Sequence, residues 1–106
     1  MREIKEILNK KGKFEDIVSK IRFLLGKDLV SEFVTQKDNV GICMFLCEKY
    51  DFPVLSNIPL SILVIENDGE VTIVMDSVGG EQGAFRLNQS RNRKYLKSVK
   101  SEIEKI

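Results

Sequence analysis

The sequence contains no histidine, which removes several kinds of active site. A nucleophilic serine or cysteine commonly depends on an imidazole base, and histidine is also the commonest metal ligand. Asp76 and Glu81 are a candidate acid–base pair, but nothing in the sequence fixes their geometry. We therefore predict a protein that is not an enzyme, with no catalytic residue, no metal site and no cofactor.

The chain has only two cysteines, Cys43 and Cys47, which are too few for a disulfide scaffold. On one face of a strand they would lie about 13 Å apart at ~3.3 Å per residue. That separation exceeds the ~7 Å between α-carbons that a disulfide allows, and two thiols are too few for a structural zinc site. We interpret both as buried structural thiols.

The sequence also lacks a long apolar run, since the longest, residues 42–47, is far short of the roughly 20 residues that span a bilayer. Its first residues have neither the apolar core nor the cleavage site of a signal peptide. We expect a cytoplasmic protein with no membrane contact. A chain of 106 residues predicts a single domain over residues 1–106, large enough to bury a core without disulfides.

The charged residues are segregated along the chain, although the net charge is only +1. Residues 1–27 carry eight Lys and Arg against four Asp and Glu, residues 28–85 carry two against ten, and residues 86–106 carry seven against two. If the ends are helical, the helical layer is basic and the sheet acidic. The simpler explanation is that amphipathic helices fill their wet face with lysine, and we favour it.

Apolar residues at spacings of three and four predict two helices. The first helix runs from Phe14 to Leu25, with Gly26 as a left-handed cap. The second follows a cap at Asn88 or Ser90, and its apolar stripe consists of Tyr95, Leu96, Val99, Ile103 and Ile106. Residues 1–12 are predicted to form a short helix or a flexible arm.

Between the helices, alternating apolar residues predict strands over residues 28–35, 40–50, 58–65 and 71–78. Asn67-Asp68-Gly69 is a hairpin signal, residues 51–59 hold both prolines and predict a loop, and the glycine-rich residues 79–83 predict a turn. Residues 84–87 are a candidate fifth strand. The predicted fold is α+β, a two-layer sandwich with an antiparallel sheet of four to five strands and the N- and C-terminal helices packed on one face.

Several of these segments resemble a small uncharacterised bacterial family of similar length. The resemblance runs from about Phe14 to Glu104 and rests on three features: the FEDI opening of the first helix, the hairpin of two apolar strands, and the segment SVGGEQ before Phe85. It implies the order helix, antiparallel strand meander, helix. It implies no known activity.

Residues 40–50 are apolar on both sides of the predicted strand. The helices cover one side, so something else has to cover the second. Val40, Ile42, Met44 and Leu46 alternate with Cys43, Phe45 and Cys47. We predict that one face of the sheet is an apolar surface that serves as an interface or a ligand face. Its predicted members are Val30, Val34, Cys43, Phe45, Leu63, Ile65 and Val74.

The leading hypothesis is a non-catalytic interaction module that forms a homodimer through this face, because small proteins commonly associate about a two-fold axis. One alternative is a domain that binds a small apolar ligand between the sheet and residues 51–59. Another is anion or nucleic-acid binding by the basic helical layer, with Arg91, Arg93, Lys94 and Lys97 as candidate contacts. A single aromatic among these cations disfavours single-stranded nucleic acid.

Overall fold

The computed structural model describes residues 3–51, 56–78 and 85–106, which form a five-stranded antiparallel sheet and two α-helices. The elements in chain order are β1 (Glu3–Lys11), α1 (Phe14–Leu25), β2 (Leu29–Lys37), β3 (Val40–Asp51), β4 (Ser56–Asn67), β5 (Glu70–Val78) and α2 (Phe85–Glu104). A 3₁₀ turn, Gly26–Asp28, connects α1 to β2. The predicted α+β class is confirmed, and the contacts between elements agree with the predicted two-layer packing.

The strands lie in the order β1-β5-β4-β3-β2, and every neighbouring pair is antiparallel. β2 to β5 form the predicted meander, in which each strand pairs with the next along the chain. β1 is the exception, because the first strand of the chain lies beyond the last one, beside β5. The two edges of the sheet are therefore β1 and β2.

Two short turns join the meander at one end of the sheet. The predicted hairpin at Asn67-Asp68-Gly69 is confirmed, with positive φ angles of 53° at Asp68 and 84° at Gly69. Asp38, in the turn between β2 and β3, also has a positive φ of 55°. The backbone N–H of Asp68 donates to the carbonyl of Asn39 at 3.3 Å, so the two turns lie side by side.

Helix α1 has the predicted bounds and ends where the sequence indicates. Gly26 has a φ of +52°, a conformation that glycine adopts without the steric cost of a β-carbon. Its N–H donates to the carbonyl of Arg22, which satisfies one of the last helical acceptors. The buried face of α1 consists of Phe14, Ile17, Val18, Ile21 and Leu25.

The core lies between the sheet and the two helices, since α1 packs against β3 and α2 packs against β1, β4 and β5. The predicted stripe of α2 is confirmed in Tyr95, Leu96, Val99 and Ile103, which are all buried. The strands contribute alternate residues to the same core. These are Ile4, Cys43, Phe45, Cys47, Ile58, Leu60, Ile62, Val64, Val71, Ile73 and Met75.

The prediction of a short helix or flexible arm over residues 1–12 is wrong, because Glu3–Lys11 is strand β1. Charged residues at helix-facing positions of β1 interrupt the apolar alternation that would have indicated a strand. Glu6 and Lys10 lie on the helix-facing side, where Glu6 accepts a hydrogen bond from Lys100 Nζ at 2.8 Å. Lys10 Nζ donates to the carbonyls of Glu104 and Ile106 at the end of α2. The sheet thus includes a strand with three lysines against two glutamates, and the basic charge of the helical layer comes from α2, because α1 carries two acidic and two basic residues.

Two predicted boundaries also differ from the structure. The loop predicted over residues 51–59 is wrong at both ends, because β3 includes Asp51 and β4 begins at Ser56 and includes Pro59, while residues 52–55 lie outside the described residues. Proline is tolerated there because the pairing of β4 with β5 ends at Ser61. The strand predicted over residues 84–87 is wrong from Phe85 onward, where α2 already begins. The predicted turn at residues 79–83 and residue 84 lie outside the described residues.

Candidate functional site

The sheet has one face toward the helices and a second face, which we call the open face, that neither described helix covers. Strand β3 displays the difference most clearly. Cys43 and Phe45 are completely buried on the helix side, whereas Met44 is 40% exposed and Leu46 44% exposed on the open face. The two apolar sets of β3 therefore face two different environments, the core and a surface.

An uninterrupted row of five apolar residues crosses the open face. Residues directly opposite each other in antiparallel strands point to the same side of a sheet. The register pairs Phe33 with Met44, Met44 with Leu63, Leu63 with Val74, and Val74 with Ile7. This apolar row runs from one edge of the sheet to the other, through all five strands.

The residues beside the apolar row extend it toward both ends of the strands. Ile42 and Ile65 are opposite each other on one side of the row, and Leu46 lies on the other side. Farther out, the open face becomes polar. Thr72 Oγ1 donates to Asn9 Oδ1 at 3.0 Å, and Lys5 lies opposite Asp76 in the register of β1 and β5.

The open face is large enough for a protein interface. Five strands about 4.8 Å apart and about nine residues long at ~3.3 Å each give a face of roughly 24 by 30 Å, on the order of 700 Å². A typical stable interface buries about 800 Å² on each partner. At the two ends of the apolar row, Phe33 is 63% exposed and Ile7 is 56% exposed, so both can contact a partner.

The two cysteines lie on the opposite side, inside the core, and are chemically protected. Cys43 and Cys47 are free thiols, and burial raises the pKa of each to about 11. The Cys47 thiol donates to the carbonyl of Leu60 at 3.3 Å. Neither is a poised nucleophile, because the reactive form of cysteine is the thiolate.

A basic pocket of about 370 Å³ opens beside α2. Tyr95 forms part of its wall and donates its hydroxyl to Asp28 Oδ2 at 3.2 Å, while Lys49 Nζ lies 5.6 Å from the centre of its ring. Burial raises the pKa of the Tyr95 phenol, so this hydroxyl stays protonated and continues to donate. The pocket is lined by Lys49, Ile58, Arg91, Lys94, Tyr95 and Ser98.

A second pocket, of about 380 Å³ and mostly apolar, lies at the end of the open face that is distant from the two turns. Val30 of β2, Leu46 of β3 and Leu60 of β4 are among its walls. Val30 is 62% exposed because the register of β2 shifts between Leu29 and Ser31, which forms a bulge. The other lining residues are Cys47, Glu48, Pro59, Ser61 and Asp76.

Comparison with protein families covers nearly the whole chain. A model described as "Family of unknown function (DUF6054)" matches residues 5–106. The chain belongs to DUF6054. The predicted membership of an uncharacterised family is therefore confirmed. No curated protein matches the chain. Membership of DUF6054 implies no known activity.

The surface predicted for this DUF6054 chain mixed residues from the two faces of the sheet. Leu63, Ile65 and Val74 do lie on the open face. Cys43 and Phe45 are wrong members, because they are completely buried against the helices. The error arose at the connection of residues 52–55, whose length leaves the register between β3 and β4 undetermined by sequence.

The remaining members of the predicted surface lie on β2. Val34 is opposite Cys43, on the helix-facing side, but is 42% exposed because β2 is an edge strand. Val30 lies at the bulge, at one end of the sheet. Among the described residues the open face has further apolar members that the prediction omitted, including Val40, which is 45% exposed at the start of β3. The others are Ile7, Phe33, Ile42, Met44 and Leu46.

The four basic residues predicted to bind anions do not form one site in the structure. Arg91 and Lys94 line the basic pocket, whereas Arg93 and Lys97 do not. The helical period explains the exclusion of Arg93, because residues two apart, such as Arg91 and Arg93, lie on different sides of a helix. Lys49 joins the pocket from the far end of β3, and no sequence spacing could have indicated it.

Residues 3–51, 56–78 and 85–106 show neither a metal-binding cluster nor a helix that could cross a membrane. Within these ranges no three cysteine or acidic side chains lie together in a way that could hold a metal ion. Neither helix, over its described length, is long and apolar enough to cross a bilayer.

Proposed function

We propose that this DUF6054 protein is a non-catalytic cytoplasmic interaction module that forms a homodimer through the open face of its sheet. The observation that carries the proposal is the apolar row Phe33–Met44–Leu63–Val74–Ile7. Large contiguous apolar patches on soluble proteins typically mark interfaces or ligand grooves. In a monomer this row is exposed to water, which is unfavourable, and a second copy packed on it would remove that exposure.

A second copy fits the open face geometrically. Two sheets pack face to face about 10 Å apart at a small angle, with their side chains interdigitating. The open face offers the required pattern, because its middle is apolar and its ends carry Thr72, Asn9, Lys5 and Asp76. An apolar centre with a polar rim is the usual anatomy of a protein interface. The proposed dimer is a four-layer structure, with the helices outside and the two sheets inside.

The test is the mass of the protein in solution, measured by sedimentation velocity and native mass spectrometry. The expected species has twice the 12.1 kDa mass of the monomer. Met44→Lys places a charge in the middle of the apolar row and should halve the mass of the associated species, because it removes the open-face contact. The matched control is Phe23→Lys, because Phe23 is 89% exposed on the outside of α1. The control should remain a dimer.

Two results would contradict this proposal. One is a wild-type protein that stays monomeric at concentrations of tens of micromolar. The other is a Met44→Lys variant that keeps the mass of the wild type and its circular dichroism spectrum. Circular dichroism is needed for both variants, because a loss of association counts only where the fold is kept.

A second candidate function is the binding of a small apolar ligand, and the apolar pocket supports it. Its volume of about 380 Å³ is within the usual range for small-molecule sites. Its walls include Val30, Leu46 and Leu60, with Ser61 and Asp76 as polar groups at the side. Such a lining suits a ligand with an apolar body and one polar end.

Native mass spectrometry of protein purified without denaturation separates the two functions. A ligand would appear as a reproducible mass added to each subunit. Val30→Asp should remove that added mass without changing the subunit count, because Val30 lies at the bulge and outside the apolar row. Absence of any added mass, together with a dimer that Met44→Lys dissociates, would reject ligand binding in favour of self-association.

A further inference from the structure

The two edges of the sheet differ in how they are protected against pairing with another strand. Exposed edge strands present unpaired backbone groups, and proteins commonly block them with charges, proline or bulges. β1 has such protection, with five charged residues in nine. They are Glu3, Lys5, Glu6, Lys10 and Lys11. β2 beyond its bulge has only Glu32 and Lys37, and it has no proline.

The side chains of β2 are open to solvent along almost the whole strand. Every residue from Val30 to Lys37 is exposed, and only Leu29 is partly buried. The bulge lies between Leu29 and Ser31, so residues 31–37 form a regular stretch. Glu32 is held by Arg22, whose Nε donates to Glu32 Oε1 at 2.8 Å, so its charge is already partnered on the helix side.

The turn between β2 and β3 determines which backbone groups of β2 point outward. A two-residue connection makes its flanking residues, Lys37 and Val40, a hydrogen-bonded pair. Residues 31, 33, 35 and 37 therefore bond to β3. The N–H and C=O groups of Glu32, Val34 and Gln36 alternate with them and point away from the sheet.

We propose that β2 pairs with β2 of a second copy, antiparallel and with Val34 on the two-fold axis. The regular stretch of residues 31–37 is centred on Val34, so Glu32 lies opposite Gln36 and Phe33 opposite Thr35 of the second copy. The outward groups of each strand then meet the outward groups of the other. No like charges are opposed, and Glu32 faces an amide that can donate to it.

Contacts of α1 give this register complementary charges. Arg22 bonds to Glu32, and Glu15 Oε1 accepts a hydrogen bond from Gln36 Nε2 at 3.2 Å. Because Glu32 lies opposite Gln36 of the second copy, Arg22 of each chain approaches Glu15 of the other. Two such pairs flank the axis symmetrically. A second copy of this chain is therefore the occupant that the edge fits.

The edge pairing uses different atoms from the proposed open-face dimer and does not depend on it. A two-fold axis perpendicular to the sheet keeps both open faces on the same side, so the pair forms a ten-stranded sheet with one continuous open face. Where both contacts are populated the wild type is a dimer of dimers, and Met44→Lys reduces it to the edge pair, whereas the open-face contact alone gives a dimer that Met44→Lys reduces to the monomer. Variants on Met44 report on the face, and variants on Val34 report on the edge.

Disulfide trapping under mild oxidation tests the register. In a hydrogen-bonded pair the α-carbons are about 5.5 Å apart, a distance that a disulfide can bridge. Val34→Cys should therefore change from a single chain to a disulfide-linked dimer when its mass is measured under denaturing, non-reducing conditions. Thr35→Cys is the matched control, since two copies of residue 35 would lie roughly 8 Å apart by strand geometry. A mixture of Phe33→Cys and Thr35→Cys proteins should cross-link only as a heterodimer. The native thiols are buried and should not contribute.

The decisive comparison is made in the Met44→Lys background, where the open-face contact is removed. Val34→Cys should still cross-link there, and much faster than Thr35→Cys. Equal rates for the two variants would overturn the edge pairing. A Val34→Cys protein that stays uncross-linked would also overturn it, and would leave this edge for a strand of another protein. Val34→Pro should abolish the edge pairing while it preserves the fold, because the N–H that it removes points away from β3.

Discussion

The ring of Phe14 lies directly on the backbone of Gly41. A β-carbon built on Gly41 would be 2.9 Å from Cδ2 of Phe14, closer than side-chain contacts allow. Phe14 begins α1 and is 1% exposed, and Gly41 is the second residue of β3. Because Gly41 has no side chain, the ring of Phe14 can pack against its backbone, and this contact fixes the start of α1 on the sheet.

Gly41→Ala should destabilise the protein by about 1–3 kcal/mol, the range for overpacking a tight core. A β-carbon so close to the ring of Phe14 forces the ring, the start of the helix or the strand to shift. Urea unfolding measures the change. The control is the same substitution in a Phe14→Leu background, where the smaller side chain should reduce the loss. Additive effects of the two substitutions would contradict a direct contact.

A charge at Phe45 and a charge at Met44 should have opposite consequences, although the residues are neighbours. Phe45 is completely buried in the core, so Phe45→Asp should unfold the protein. Met44→Asp should leave the fold intact and change only association. Circular dichroism and thermal melting measure the first effect, and sedimentation the second. A cooperatively folded Phe45→Asp protein would contradict the assignment of the two faces.

Acid should weaken the contact between β1 and α2. The hydrogen bond and the charge of Lys100 hold the pKa of Glu6 below its ordinary value near 4.5. A carboxyl whose pKa is lower in the folded state stabilises the fold above its unfolded pKa, and this stabilisation is lost as the pH falls through the folded pKa. Wild type should therefore be more stable than Glu6→Gln at neutral pH, and the difference should disappear in acid.

The measurement for Glu6 is urea unfolding at several pH values between neutral and about pH 3. Glu70→Gln is the control, because Glu70 is an exposed residue of the neighbouring strand at the turn. A wild-type advantage over Glu6→Gln that grows as the pH falls would contradict the role of Lys100.

Cys43 and Cys47 should resist thiol reagents in the folded protein. With a pKa of about 11, only roughly one thiol in a thousand is ionised at pH 8, and both side chains are buried. Iodoacetamide followed by mass spectrometry should find no rapid modification of native protein and two modifications in guanidinium chloride. Rapid labelling of folded protein at one cysteine would show that this thiol is reachable.

The elements that the sequence predicted correctly have strong local signals. Helix α1 is bounded by its apolar period and Gly26, and the turn after β4 is determined by Asn67-Asp68-Gly69. β1 gave no such signal. Its helix-facing side carries Glu6 and Lys10, and these are satisfied by groups of α2 that lie about ninety residues away in the chain. No local pattern can reveal a charge that is neutralised by a distant segment.

The sequence predicted an apolar sheet face but only some of its residues, because the register between β3 and β4 was not determined. The alternation in a strand separates its residues into two sets that face opposite sides. A short turn fixes which set of the next strand lies on the same side as each of them. Between β4 and β5 the two-residue turn makes Leu63 and Val74 neighbours. Between β3 and β4 the connection is longer, so the sequence could not decide whether Met44 or Phe45 shares a side with Leu63. A three-residue apolar pattern at Phe85 likewise could not distinguish a strand from a helix.

The position of β1 has a consequence for how the protein reaches its fold. The meander from β2 to β5 forms from contacts between neighbours in the chain, but β1 pairs only with β5, and Lys10 binds the carbonyl of Ile106. During synthesis β1 therefore cannot pair until β5 has been made. Closing so long a loop is slow compared with forming hairpins. We expect the docking of β1 to be the late step of folding, and a chain shortened by the last turn of α2 to lose β1 first.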